Sequence, residues 1–370
     1  MNNTELFHLL ALSQVDGVGD IVAKKLINHC GSAANVFKAK VKELKAIDGV
    51  GEMLIKNLKD KSIFAKAELE MQYIQNENVQ VLHFQNDDYP DRLKHCIDGP
   101  VLLFASGNFD FKKRKMISIV GTRQITSYGT DFCKKLIEDL AIFNPIIVSG
   151  FAYGVDIVAH QSAMENNLQT IGVLAHGLNQ IYPKSHKKYV AKIEQNGGFL
   201  TEFWSNSNPE KENFVKRNRI VAGMSEATIV IESADKGGSL ITANMANDYN
   251  RDVFAVPGRT TDKYSQGCND LIKSQRANLI TSAADLVYCL NWEIHSHVQN
   301  DNKVVQKQLF VTLDFEEQKI YDYLQKNGKQ SLDVVALECD FPIFKISSIL
   351  LTMELKGIIR PLPGKFFEAV

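Results

Sequence analysis

Between residues 116 and 290, short apolar runs alternate with stretches whose apolar residues recur at helical spacing. The runs "MISIVG", "NPIIVSG", "QTIGVLA", "GGFLTEF", "ATIVIES" and "RDVFAVPG" predict buried strands. Helical patterns over 128–142, 154–166, 185–196, 213–223 and 238–249 lie between them. Apolar strands separated by helices of this length predict a largely parallel, doubly wound α/β sheet. Ligands of such sheets sit beyond the carboxyl ends of the strands. Upstream, a helix over 62–77, a strand "VQVLHFQ", a turn "NDDYPDRL" and a strand "GPVLLFASG" form an approach segment. The basic "KKRKM" (112–116) then delivers the chain to the first buried strand.

Both flanks have their own patterns. "VDGVGDIVAKKL" (15–26) and "IDGVGEMLIKNL" (47–58) repeat an apolar-D-G-V-G-acid turn that runs into a helix. Such a turn leaves free N–H groups at the helix start, which suit a phosphate. The repeat resembles the helix-hairpin-helix module, which grips nucleic-acid backbones. The alternative is that the hairpins only hold a small helical domain together, since Asp16, Asp20, Asp48 and Glu52 flank both turns and repel phosphate unless they cap the helices. At the other end, helices over 314–327, 331–339 and 342–356 precede a short two-stranded ribbon around Pro363-Gly364, the order of a winged helix. Glu338, Asp340 and Glu354 surround its candidate recognition helix, whose only lysines are Lys345 and Lys356. That charge favours protein interaction or packing over duplex binding. The expected organisation is a helical domain (1–75), an extended Rossmann-like domain (76–290), a polar linker (291–308) and a winged-helix-like domain (309–370).

A chain of 370 residues with 45% hydrophobic content supports several domains with true cores. No apolar run reaches the roughly 20 residues of a membrane span, and the N-terminus lacks a basic region and a cleavage site, so no secretory signal is expected. Cys30, Cys96, Cys133, Cys268, Cys289 and Cys339 are scattered without metal-ligand spacing, which predicts core thiols in a reducing cytoplasm and no zinc site. A net charge of −1 excludes a generally basic coat but not a local stripe. Positive charge does concentrate, in "PKSHKKYVAK" (183–192) and "KENFVKRNR" (211–219). Either run could also be a solvated face.

Unusual residues fall where the predicted strands end. A dinucleotide-binding turn reads G-x-G-x-x-G, so that the pyrophosphate rests on bare backbone. "SIVGTRQITSYG" (118–129) keeps Gly121 but carries Thr122 and then Arg123 in the second glycine position. "SGFAYGVDIVAH" (149–160) places Asp156 and His160 one helical turn apart, as a general base with its orienting acid or as a local structural hydrogen bond. "HGLNQIYPKSH" (176–186) supplies Lys184. In "ADKGGSLITAN" (234–244), Gly237-Gly238-Ser239 opens a helix with Ser239 as candidate N-cap. No nucleophile elbow and no P-loop is present. Arg123, Lys184, Lys216, Arg217, Asn218 and Arg219, with exposed helix N-termini, make a phosphate-binding set. Phe214 among them is suited to stacking on a base.

Taken in order, "SIVGTRQITSYG", "IVSGFAYGVDIVAH", "GLNQIYPKSH", "NFVKRNRIVAG", "GGSLITA", "DVFAVPG" and "SQGCNDLIKSQRA" resemble the blocks of the DNA-processing protein A (DprA, or Smf) family. The resemblance spans about 116–290. It implies a cytoplasmic, non-enzymatic single-stranded DNA-binding protein that needs no cofactor. It also implies that the protein protects incoming DNA, loads the RecA recombinase in natural transformation and dimerises through its Rossmann domain. The family's G-[ST]-R motif falls on Gly121, Thr122 and Arg123, and its F-x-x-R-N-R block on Phe214, Arg217, Asn218 and Arg219. The lysine after Y-P is Lys184, and the G-G-S-L helix start is Gly237, Gly238 and Ser239. Asn179 stands where the family commonly has aspartate, and Ala175-His176 replaces a small Gly/Thr-type pair, which alters the floor of the cleft.

Two other classes fit parts of the pattern. A nucleotide hydrolase of the lysine-decarboxylase-like group requires G-G-x-G-T-x-x-E. Here Gly237-Gly238 starts such a run, but position 244 is Asn and no glutamate follows before Glu293. A protein-interaction scaffold would leave the basic runs merely solvated.

Overall fold

The computed structural model describes residues 2–112, 115–292, 313–362 and 366–369. The chain divides into two compact units, residues 1–295 and 296–370. Most of the expected linker and the ribbon turn at Pro363-Gly364 lie outside the described residues, as do two positions of "KKRKM".

The N-terminal repeat folds the same way twice. Gly17 (φ +88) and Gly49 (φ +86) take left-handed backbone that disfavours any side chain. Gly19 and Gly51 then act as N-caps of the helices Asp20–Cys30 and Glu52–Asn57, with no side-chain cap at either. The acids therefore do not cap. Asp48 pairs with Lys25 at 2.6 Å and Glu52 with Lys45 at 2.6 Å. Asp20 turns inward and accepts the Val101 N–H at 2.9 Å. The helices Asn3–Ser13, Asp20–Cys30 and Ser62–Asn76 bury Leu9, Leu10, Leu26 and Ala67 in a core shared with Val101, Leu102 and Phe104. The helical segment is thus joined to the sheet that follows it.

That sheet contains β1 (Gln80–His83), β2 (Leu102–Asn108), β3 (Met116–Val120), β4 (Ile146–Ser149), β5 (Thr170–Val173), β6 (Gly197–Thr201), β7 (Ala227–Val230), β8 (Asp252–Ala255) and β9 (Asn278–Leu279). Its nine strands lie in the order β1-β2-β6-β5-β4-β3-β7-β8-β9. From β6 to β9 all neighbours are parallel, with Met116 opposite Ile146 and Val120 opposite Val230. The six runs read as buried strands are β3 to β8. The approach segment supplies β1 and β2, which pair antiparallel and extend the sheet beyond β6. β3 and β4 are buried at every position, as strands covered on both faces must be. The chain winds from β3 out to β6 and then restarts beside β3 with β7. The gap between the ends of β3 and β7 is therefore the switch point at which doubly wound sheets hold ligands.

In the second unit, the helices Phe315–Asn327, Leu332–Glu338 and Ile343–Leu355 pack over a sheet of β10 (Gln330–Ser331), β11 (Ile359–Leu362) and β12 (Phe366–Ala369), ordered β10-β12-β11. The ribbon expected from sequence gains a third strand, β10, and the whole is a winged helix. Ile320, Leu324, Val335, Ile346, Leu350 and Met353 form its core. Both lysines at the third helix are paired internally, Lys356 with buried Glu317 at 2.5 Å and Lys345 with Glu316.

Candidate nucleic-acid interface

The turn after β3 is clamped from both sides. The Thr122 N–H donates to the Glu232 carbonyl at 2.7 Å, and the Val155 N–H donates to the Thr122 carbonyl at 3.1 Å. A side chain on Gly121 would overlap Val155 and stand 2.9 Å from the Glu232 carbonyl. Gly154, at φ +77, meets the Thr122-Arg123 backbone so closely that it too must be glycine. The clamped turn presents Arg123 to solvent, with its guanidinium carbon 5.2 Å from the Phe214 ring centroid. Tyr182 meets the same ring edge-on at 5.8 Å. A cation held over an aromatic face, both at a strand-end rim, can grip a phosphate while the ring meets a base.

Besides Arg123 in the second glycine position, a buried acid stands where the phosphate of a nucleotide would meet the helix start. The helix after the turn, Ser127–Leu140, is capped by Thr126, whose hydroxyl accepts the Gly129 N–H at 3.2 Å. The buried carboxylate of Glu232 fills the place beside that terminus. It accepts the Thr126 N–H at 2.9 Å and the Thr126 hydroxyl at 2.5 Å, and lies 2.6 Å from where a Gly129 side chain would begin. The anion site of this helix start is occupied by the protein's own anion.

The basic run 211–219 divides when it folds into the helix Lys211–Met224. Lys216 is half-exposed, 2.9 Å from Glu202 and over the Phe203 ring. Arg217 and Arg219, expected as surface donors, are instead 5% and 6% exposed. Arg217 lies in the floor of the cleft and donates to the Val173 carbonyl and, at 3.3 Å, to Asn218 Oδ1. Its main counter-charge is Asp156, and burial lowers the Arg217 pKa to about 10. Burial likewise pushes the Asp156 carboxyl up, against the pull of Arg217. Burial also acts to lower the Arg219 pKa, but Glu202, Asp20 and Asp98 more than offset it and raise it. Arg219 donates to Glu202 at 2.5 Å, to Asp20 at 3.1 Å and to the Asp98 carbonyl. These two arginines hold the scaffold, because acids distant in sequence meet them inside it.

The other candidates separate in the same way. Exposed Lys184 opens the turn Lys184–His186, whose His186 is buried, at the end of the β5 loop. Gly237 is the N-cap of the helix Gly238–Asp248, and Gly238 faces open space. Ser239 is not the cap; it is buried and donates to Ser233 Oγ at 2.9 Å. Asp156 and His160 do not bond to each other. His160 Nε2 donates to the Gly150 carbonyl at 2.5 Å, its Nδ1 lies 2.7 Å from the Thr170 hydroxyl, and burial lowers its pKa to about 4. Ala175 and His176 are buried beneath Tyr182 and Phe214, and Asn179 is exposed. The sequence reading missed Tyr182, Glu232 and the cation–aromatic pair Lys263–Tyr264, although "DKYS" (262–265) lies only three residues past the predicted strand "RDVFAVPG".

Comparison with known proteins agrees with this architecture. The sequence model of the family "DNA recombination-mediator protein A" matches residues 80–291, and that of the DprA winged helix domain matches 311–365. Protein Smf of Synechocystis sp. is 35% identical over 294 residues, covering 78% of this chain and 74% of its own. DNA processing protein A of Streptococcus pneumoniae, solved by X-ray crystallography, superposes with a TM-score of 0.64 at 30% identity, covering 78% of this chain and 98% of its own. The Helicobacter pylori protein, whose structure was reported for its single-stranded DNA binding mode, superposes with a TM-score of 0.51 at 29% identity, covering 58% of this chain and 95% of its own. The family match, the relatives and the winged-helix unit agree: this chain belongs to the DNA recombination-mediator protein A (DprA/Smf) family.

Proposed function

We propose that this protein binds single-stranded DNA without regard to sequence, protects incoming strands, and loads the RecA recombinase onto them during natural transformation. The observation that carries the reading is exposed Arg123 held over the half-buried Phe214 ring at the switch point, with Lys184 and Gly238 exposed in other strand-end loops. The reported binding mode of the H. pylori relative supports it. Thr122 shapes the turn, Lys216 adds charge at its flank, and Arg217, Asn218, Arg219 and Ser239 act from beneath by holding these groups in place. A homodimer through the Rossmann domain and a cytoplasmic location belong to the same reading. Among the described residues no helix is long and apolar enough to cross a membrane.

The test is polarisation of labelled oligo-dT across a salt series. Arg123→Ala is expected to weaken binding severalfold and to flatten the salt slope by about 0.7, the value for one phosphate on a single strand. An unchanged dissociation constant in a folded variant overturns the reading. Steady release of base from nucleotides, abolished by the same substitution, would establish the hydrolase instead. RecA loading is tested separately, as faster RecA filament formation on oligo-dT covered with single-strand-binding protein.

A further inference from the structure

A cation also pairs with an aromatic ring in the loop past β8. Past β8 the chain forms the loop 257–265, where Lys263 Nζ lies 5.5 Å from the centroid of the Tyr264 ring. The loop is tied down at several points. Asn269 accepts the Gly258 N–H at 3.2 Å and donates to its carbonyl at 3.0 Å. The Tyr264 carbonyl accepts the Ser233 N–H at 2.6 Å, and Tyr128 donates to the Pro257 carbonyl at 3.0 Å. The Tyr264 hydroxyl donates to Gln124, the residue after Arg123. The loop is therefore joined to the Arg123 turn through Gln124 and to the β7 end through Ser233, as one braced rim.

We propose that Tyr264, with Lys263 and Arg259 beside it, is a second base-stacking station that extends the single-strand path from Arg123–Phe214 across the ends of β7 and β8. The proposal rests on the DNA-binding reading and adds its direction. β3 and β8 are separated only by β7, and the Tyr264 hydroxyl reaches Gln124 beside Arg123, so the two stations are neighbours along one rim. A strand laid over the rim in that direction passes exposed Lys236 and Gly238. Asp235 and Asp262 stand in the same loops and offset two of the three cations. Stacking on Tyr264 therefore contributes more here than charge, unlike at Arg123.

The experiment is a length series of labelled oligo-dT, from about four to about 16 nucleotides, the range of single-strand site sizes. Wild-type affinity is expected to rise as the strand becomes long enough to reach Tyr264. Tyr264→Leu is expected to match wild type on the shortest oligonucleotide and to bind the longest at least about fivefold more weakly. Lys263→Ala, on a surface position that folding does not need, is expected to lose part of the same gain. Tyr264→Phe, which keeps the ring and loses the bond to Gln124, is expected to keep it. If Tyr264→Leu and Lys263→Ala follow the wild-type length dependence while Arg123→Ala weakens every length, the second station is refuted and the DNA-binding reading stands. If Arg123→Ala also leaves every length unchanged, that reading fails and takes the second station with it.

Discussion

At Gly150 an added methyl would overlap Asp156 Oδ2 and stand 2.6 Å from Arg217 Nη2. The residue is glycine because two buried charges meet where its side chain would be. Gly150→Ala must move that pair or the β4 end, and overpacking of a dense interior costs about 1–3 kcal/mol. The expected outcome is a lowered urea midpoint and looser DNA binding, since Arg217 lies beneath Phe214. Arg219→Ala is a harsher change. It leaves Glu202 buried with Lys216 as its remaining ion-pair partner, and removing one partner of a buried pair costs about 3–5 kcal/mol. Chemical unfolding of the purified variant measures it. A loss of DNA affinity without a loss of stability would instead return Arg219 to the binding surface.

At the scale of elements, the two hairpins have one backbone and two assignments. The first sends Asp20 into the sheet to meet Val101 and Arg219, while the second keeps Asp48 and Glu52 in surface pairs. Gly17→Ala and Gly49→Ala impose the same left-handed strain, of roughly 1–2 kcal/mol. The first is expected to lower stability further by misaligning Asp20 under the Rossmann unit, and differential scanning calorimetry of both variants checks the difference. The strands β3 to β8 were legible because each is a mostly apolar run between turns. β9 was not, since Asn278–Leu279 is two exposed residues without a pattern. The helices Gln266–Lys273 and Ala283–Cys289 escaped because they are short, the first burying only Gly267, Cys268 and Leu271 and the second only Ala283 and Leu286. Within the site, charge was legible and burial was not. Lys216, Arg217 and Arg219 look alike in the run 211–219, and the acids that bury two of them, Asp20, Asp156 and Glu202, are remote in sequence.

At the scale of the first unit, stability depends on keeping buried imidazoles neutral. His160 is wholly enclosed, and its pKa falls to about 4 through burial. His83 is also driven to about 4 by burial. The unfolded chain takes up protons near pH 6.5, whereas the folded chain resists them until about pH 4. Stability is therefore full above about pH 6.5 and is lost as pH falls towards 4, by roughly 3 kcal/mol for His160 alone. Urea unfolding at about pH 7.5 and about pH 5 reads this, and His160→Gln is expected to shrink the difference. Glu232 has a consequence of another kind. On the proposed reading, a cleft at the switch point of a doubly wound sheet would meet competing nucleotides wherever its helix starts stood open. A carboxylate built into the fold and fastened to Thr126 closes the first of those helix starts. On that reading, strand capture is expected to ignore added ATP or NAD beyond their ionic strength, which oligo-dT polarisation with and without either nucleotide checks, and the protein would answer to the arrival of DNA and not to the energy state of its cell.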